Sequence, residues 1–270
     1  MAGQTIHQVD AFTNRAFGGN PAAVCVMSSP APEAWMRSVA REMNLSETAF
    51  LHREAGGPGD GWRLRWFTPA AEVDLCGHAT LAAAHTLWQT GALAPEAEAR
   101  FFTRSGVLTA ARRGEWIEMN FPAKPVEPAE PPPGFLEALG VTPTFVGKSQ
   151  FDYLVEVGSE AEVRAASPDF GRLRHMPARG TIVTSRGAGP EFDFVSRFFA
   201  PAVGVDEDPV TGSAHCALVP YWAGKLGKSE FVAAQVSARG GLLRLRLEGE
   251  RVRIAGQAVT VLHGELLAGL

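Results

Sequence analysis

The chain has 270 residues, 46% hydrophobic and 20% charged, the balance of a globular protein long enough to bury sizeable cores without staples. A net charge of −4 with no basic stripe excludes nucleic acid as an expected partner, and the apolar runs stop far short of the roughly 20 residues that span a bilayer. The cysteines Cys25, Cys76 and Cys216 form no CxxC pair, and the start MAGQTIHQVDAF lacks a basic flank before an apolar core, so a reducing, cytoplasmic setting is expected.

In chain order, residues 63–67 read as a strand. Pro69 breaks it, and a glycine turn then opens a helix over residues 79–89. Residues 107–111 and 116–120 predict a hairpin across Arg113-Gly114. Residues 122–134 read PAKPVEPAEPPPG. Proline removes backbone donors and forces extended conformations, so this run is neither a central strand nor a helix. It reads as a crossover. Beyond it the pattern returns: a strand over 192–199, a helix over 214–225, and a hairpin of 243–247 with 251–254 across Glu248-Gly249. Both helices are rich in Ala and Leu and nearly uncharged, which predicts burial on every side.

The return is a repeat. RWFTPAAEVD at 65–74 and RFFAPAVGVD at 197–206 share six of ten residues at an offset of 132. After a three-residue insertion in the second copy, Gly77 aligns with Gly212 and Gly114 with Gly249. The expected fold class is α+β: two similar lobes, each a barrel-like mixed sheet around a central helix, related by a pseudo-twofold. The expected lobes are 1–121, with 258–270 returning to it, and 134–257, with 122–133 as the Pro-rich crossover.

The repeat singles out two helix starts, Cys76-Gly77-His78 and Thr211-Gly212-Ser213. A helix N-terminus offers free N–H groups and the positive end of the dipole, and glycine lets a ligand approach the backbone. Such a pair would hold an anionic small molecule, such as a carboxylate, without arginine. The alternative is ordinary capping by Ser213 or Thr211. Beside them stand Asp208, which could equally be a turn residue before Pro209, and Cys76, which could be a small buried hydrophobe. Cys25 and Cys216 read as core. His85 shares a helix face with His78, but no further ligand stands at metal spacing, so no metal site is expected. Glu47 is not distinguishable from a surface or helix-end carboxylate on these grounds.

Several segments together resemble the PhzF-like family of phenazine biosynthesis: Val9-Asp10-Ala11-Phe12-Thr13, Phe17 to Val24 (FGGNPAAV), Asn44 to Thr48 (NLSET), Phe67-Thr68-Pro69, Cys76 to Thr80 (CGHAT) and Asp208 to Ala214 (DPVTGSA). That family resembles diaminopimelate epimerase in fold. The resemblance implies a cofactor-independent isomerase that shifts a proton on a carboxylate-bearing metabolite held between the lobes. Glu47 would be the acid/base, and Asp208 and His78 would handle protons and orient the substrate. Gly77, Gly212 and Ser213 would hold its acidic group, with Cys76 and Thr211 beside them. It also implies a homodimer. Cys76 departs from the phenazine enzyme, and Thr211 occupies the place of the second cysteine used by the related epimerases. An epimerase working through Cys76, or a catalytically silent binder, are the alternatives.

Overall fold

The computed structural model describes residues 3–54 and 60–267. Residues 1, 2 and 268–270, which the expected N-terminal lobe includes, lie outside the described residues. The chain forms two compact units: residues 1–120 with 255–270, and residues 121–254. The Pro-rich run at 122–133 therefore falls within the second unit.

In the first unit, β1 (Gln4–Ala11) turns through a glycine loop into antiparallel β2 (Asn20–Met27). Helix α1 (Glu33–Met43) crosses over to β3 (Glu47–Glu54), which lies parallel to β2. β4 (Gly61–Phe67) returns antiparallel, and the two-residue strand β5 (Glu72–Val73) folds back on its end. Helix α2 (Gly77–Gln89) then leads to β6 (Ala99–Thr103), parallel to β4. β7 (Gly106–Arg113) and β8 (Trp116–Pro122) complete a meander, joined by the two-residue loop Gly114-Glu115 with Gly114 at φ 63°.

The second unit repeats this plan. A short strand β9 (Glu127–Pro128) and helix α3 (Phe135–Leu139) precede β10 (Pro143–Lys148), which pairs antiparallel with β11 (Asp152–Val157). Helices α4 (Glu160–Ala165) and α5 (Phe170–Leu173) cross to β12 (Gly180–Arg186), parallel to β11. β13 (Phe194–Ala200) returns antiparallel and carries β14 (Val205–Asp208) on its end. Helix α6 (Gly212–Leu226) leads to β15 (Glu230–Gln235), parallel to β13, followed by β16 (Gly241–Glu248) and β17 (Arg251–Gly256). Last, β18 (Ala258–Leu266) rejoins the first unit, antiparallel to β1. Parallel and antiparallel pairs thus alternate in the same order in both units, giving the mixed-sheet α+β class. Both repeated helices begin two residues earlier than the expected 79 and 214, at the glycines themselves.

Helix α2 packs against β1, β2, β3, β7 and β18, and Ala79, Leu81, Ala82, Ala83, Ala84 and Leu87 are fully buried. Its run of alanines lets strands close in on all sides, and each buried leucine adds roughly 1.5–3 kcal/mol. Under α1, a separate cluster joins Met36, Val39 and Ala40 to Ile6, Cys25, Phe50 and Phe67. In the second unit, Phe135 and Leu139 of α3 join Tyr153, Val155, Val183 and Phe199. Among the described residues no helix is long and apolar enough to cross a membrane.

A half-buried ion pair holds the same corner in each unit. Arg65 on β4 grips Glu72 on β5 with Nε and Nη2, at 2.7 and 2.6 Å. Arg197 on β13 grips Glu207 on β14 in the same forked way, at 2.7 and 2.9 Å. The two arginines are the first residues of the sequence repeat. The three-residue insertion moves the glutamate but keeps the clamp. Forked geometry of this kind fixes orientation as well as distance, and in each unit it ties down the segment that leads into the glycine turn.

Candidate active site

In the first unit the site grows from three strand or helix ends. Glu47 is the first residue of β3, paired with Ala22 of β2. Cys76 is the N-cap of α2 in extended conformation (φ −145°, ψ 113°), and His78 lies in the helix's first turn. Asn20 opens β2 after the tight Gly18-Gly19 loop. Gly19 sits at φ 60°, and a Cβ there would stand 2.1 Å from the carbonyl oxygen of Ala11, so only glycine fits.

These elements bring three side chains together around one imidazole. His78 Nε2 lies 3.3 Å from Glu47 Oε2. His78 Nδ1 lies 3.2 Å from Asn20 Nδ2 and 3.5 Å from Cys76 Sγ. His78 is 4% exposed and Asn20 fully buried. Burial pushes the His78 pKa down to about 3, so the ring is neutral at ordinary pH. At 3.3 Å the Nε2–Glu47 contact is close but not aligned as a hydrogen bond, and Nε2 has no other hydrogen-bond partner among the described residues.

Glu47, Cys76 and His78 also offer ligand atoms all within 4.8 Å of one another. A soft divalent cation takes such donors, and so does a proton relay. Nδ1 is already approached by the Asn20 amide, a donor, which favours the relay.

The second unit carries the counterpart. Thr211 is the N-cap of α6, but its hydroxyl makes no capping bond; it donates instead to Asp208 Oδ2 at 2.5 Å. Ordinary capping by Thr211 is thus not what the turn is for. Gln235, fully buried at the end of β15, accepts the Thr211 N–H (2.9 Å) and donates to the Asp208 carbonyl (2.7 Å). Ser213 Oγ does not cap the helix either: it accepts from Arg179 Nη2 at 3.1 Å, and Arg179 is also forked onto the buried Asp152. The duplication reaches individual bonds. Thr80 Oγ1 donates to the Cys76 carbonyl (2.5 Å), and His215, at the matching position of α6, meets the Thr211 carbonyl through Nδ1 (2.9 Å).

Glu47, Cys76, Gly77 and His78 therefore lie together in the first unit, and Asp208, Thr211, Gly212 and Ser213 lie together in the second. Sequence reasoning missed Asn20, Gln235, Arg179 and Asp152 as members. A polar residue ending an apolar strand was the available sign for Gln235; Arg179 had none.

A family profile described as "Phenazine biosynthesis-like protein" matches residues 9–264. The chain belongs to the phenazine biosynthesis-like family. An uncharacterized isomerase of Halalkalibacterium halodurans is 55% identical over 263 residues, covering 97% of this chain and 98% of the relative. The crystal structure of a PhzF-family protein from Enterococcus faecalis superposes with a TM-score of 0.91 at 40% identity, covering 97% of this chain and 98% of that one. A hydroxyproline epimerase from Agrobacterium vitis, solved with trans-4-hydroxy-L-proline, shares the fold with a TM-score of 0.62 at 12% identity over 97% of this chain and 92% of that one. The isomerase relative at 55% identity covers nearly the whole chain, and the enzyme class of this family member is isomerase.

Proposed function

We propose that this family member moves a proton between carbons of a small carboxylate-bearing metabolite, without a cofactor, and that Glu47 is the acid/base. The observation that carries the reading is the placement of Glu47 Oε2 3.3 Å from the Nε2 of a buried, neutral His78, at the N-terminus of α2. A carboxylate so held takes a proton from a carbon next to a carbonyl or imine. The C–H electron pair moves into that acceptor, and the proton returns to a different carbon. The free N–H groups of the α2 start favour the developing negative charge and the substrate's carboxylate. Asp208, hydrogen-bonded to Thr211, is the second candidate acid/base, and Gly77, Gly212 and Ser213 are the candidate anion contacts. The family resemblance also points to a homodimer, which sedimentation of the purified chain tests, and the sparse, unpaired cysteines point to a cytoplasmic setting.

The experiment is proton exchange in D2O over a panel of carbon acids, followed by NMR. Glu47→Gln should lower exchange by about 10²–10⁴. Full exchange in that variant would sink the assignment.

One observation favours a second reading, in which Cys76 carries the proton. Its Sγ lies 3.5 Å from His78 Nδ1, and a helix N-terminus lowers a thiol's pKa. With Thr211 at the matching position, a mirrored thiol pair is not available. Cys76→Ser separates the readings: unchanged exchange removes Cys76 as a carrier.

A further inference from the structure

The imidazole of His78 has one proton to place, and its surroundings decide where. The Asn20 amide nitrogen, which can only donate, approaches Nδ1 at 3.2 Å, whereas Cys76 Sγ, 3.5 Å from the same nitrogen, can donate or accept and fits either tautomer. A nitrogen approached by an amide donor must carry the lone pair. The proton then sits on Nε2, on the side of the Glu47 carboxylate.

The opposite tautomer would be costly. With the proton on Nδ1, the Nε2 lone pair would lie 3.3 Å from a carboxylate oxygen, two electron-rich atoms in a buried place with no hydrogen between them. The ring cannot escape by taking a second proton, since burial holds it neutral. Glu47 would relieve the clash only by holding a proton itself, and a protonated carboxyl is no base. The tautomer of His78 therefore decides whether Glu47 can act.

We propose that Asn20 is a positioning residue: through its amide it holds His78 as the Nε2–H tautomer, which keeps Glu47 ionised and ready to accept a proton. This rests on the reading of Glu47 as the acid/base. Asn20 is suited to the task because it is fully buried and because the Gly18-Gly19 turn, with its obligatory glycine, fixes where β2 begins. Neither Cys76 nor water need share the work for the geometry to hold.

The test reads the tautomer directly. The full chain is labelled with ring-¹⁵N histidine, and long-range ¹H–¹⁵N spectra are recorded at neutral pH, with His78→Gln to assign the signal. The wild type should show His78 neutral, with the protonated shift on Nε2 and the lone-pair shift on Nδ1. Asn20→Asp replaces the donor with an acceptor, so Nδ1 should lose its lone-pair shift and take on the protonated one. Asn20→Ser, a gentler change, should leave a mixture of both tautomers. Asn20→Asp failing to fold leaves Asn20→Ser to decide. A wild-type ring protonated on Nδ1, or a tautomer unmoved in the variants that fold, overturns the proposal. The Glu47 reading fails separately: if Glu47→Gln retains exchange while the spectra behave as stated, the tautomer lock stands and the acid/base assignment falls.

Discussion

The backbone N–H of Lys124 donates to the carbonyl of Cys216 at 2.8 Å. That carbonyl lies four residues before Pro220, inside α6. Proline has no N–H, so the helix itself leaves the Cys216 oxygen without its usual donor. A residue of the Pro-rich run supplies it. The run that reads as a spacer thus repairs the central helix of the second unit.

Lys124→Pro should therefore destabilise the protein by about 1–3 kcal/mol more than Lys124→Ala, because only the former strips the buried carbonyl. Pro220→Ala, which restores the helical donor, should recover most of the difference. Urea-unfolding midpoints of the single and double variants would show it. Equal losses for Lys124→Pro and Lys124→Ala would mean that the bond contributes nothing.

Gly19→Ala should fail for steric reasons. At φ 60° with a backbone oxygen 2.1 Å from the new Cβ, the loop must move, at a cost of at least about 1–3 kcal/mol. Asn20 would move with it. The thermal midpoint should fall, and the His78 ring signals should shift in the same variant.

Stability should fall in mild acid. Burial pushes His78 to about 3 and His215 to about 4, in the latter case against the opposing effect of its bond to the Thr211 carbonyl. These folded values lie below the unfolded 6.5, so on acidification the unfolded chain binds protons first. Their contribution is flat above about pH 7 and is lost as pH falls from about 6.5 toward 4. The slope is about 1.4 kcal/mol per pH unit for each ring. His215→Gln should flatten the curve of unfolding free energy against pH. An unchanged slope would show that His215 takes up its proton while folded.

The thiols should separate by reactivity. Burial pushes Cys25 and Cys216 up to about 12, so neither offers a thiolate at pH 8. Iodoacetamide should leave both unmodified in the folded protein and label both in guanidinium, as intact mass and peptide mapping would report. Any label gained without denaturant should fall on Cys76.

Much of this was legible. The glycine turns, the alanine-rich helices and the hairpins follow from local chemistry, and the repeat told that one plan is used twice. Strand neighbours were not legible, because β2 beside β3 and β4 beside β6 are joined through intervening helices. Glu47 looked like any surface or helix-end carboxylate until His78, 31 positions away, was placed beside it. Asn20 reaches His78 across 58 positions, and Arg179 reaches Ser213 across 34. Polar contacts over such spans leave no periodic trace; only the family resemblance pointed toward Glu47.

The last strand, β18, pairs along the full length of the first, β1. During synthesis, β1 emerges with an open flank that is filled only after about 250 further residues have been made. The second unit is uninterrupted in sequence and can complete itself sooner. The order of birth and the order of maturation are then reversed. The half that holds Glu47 and His78 would be the last to close, and a nascent chain should acquire its site only once β18 has been made and has paired with β1.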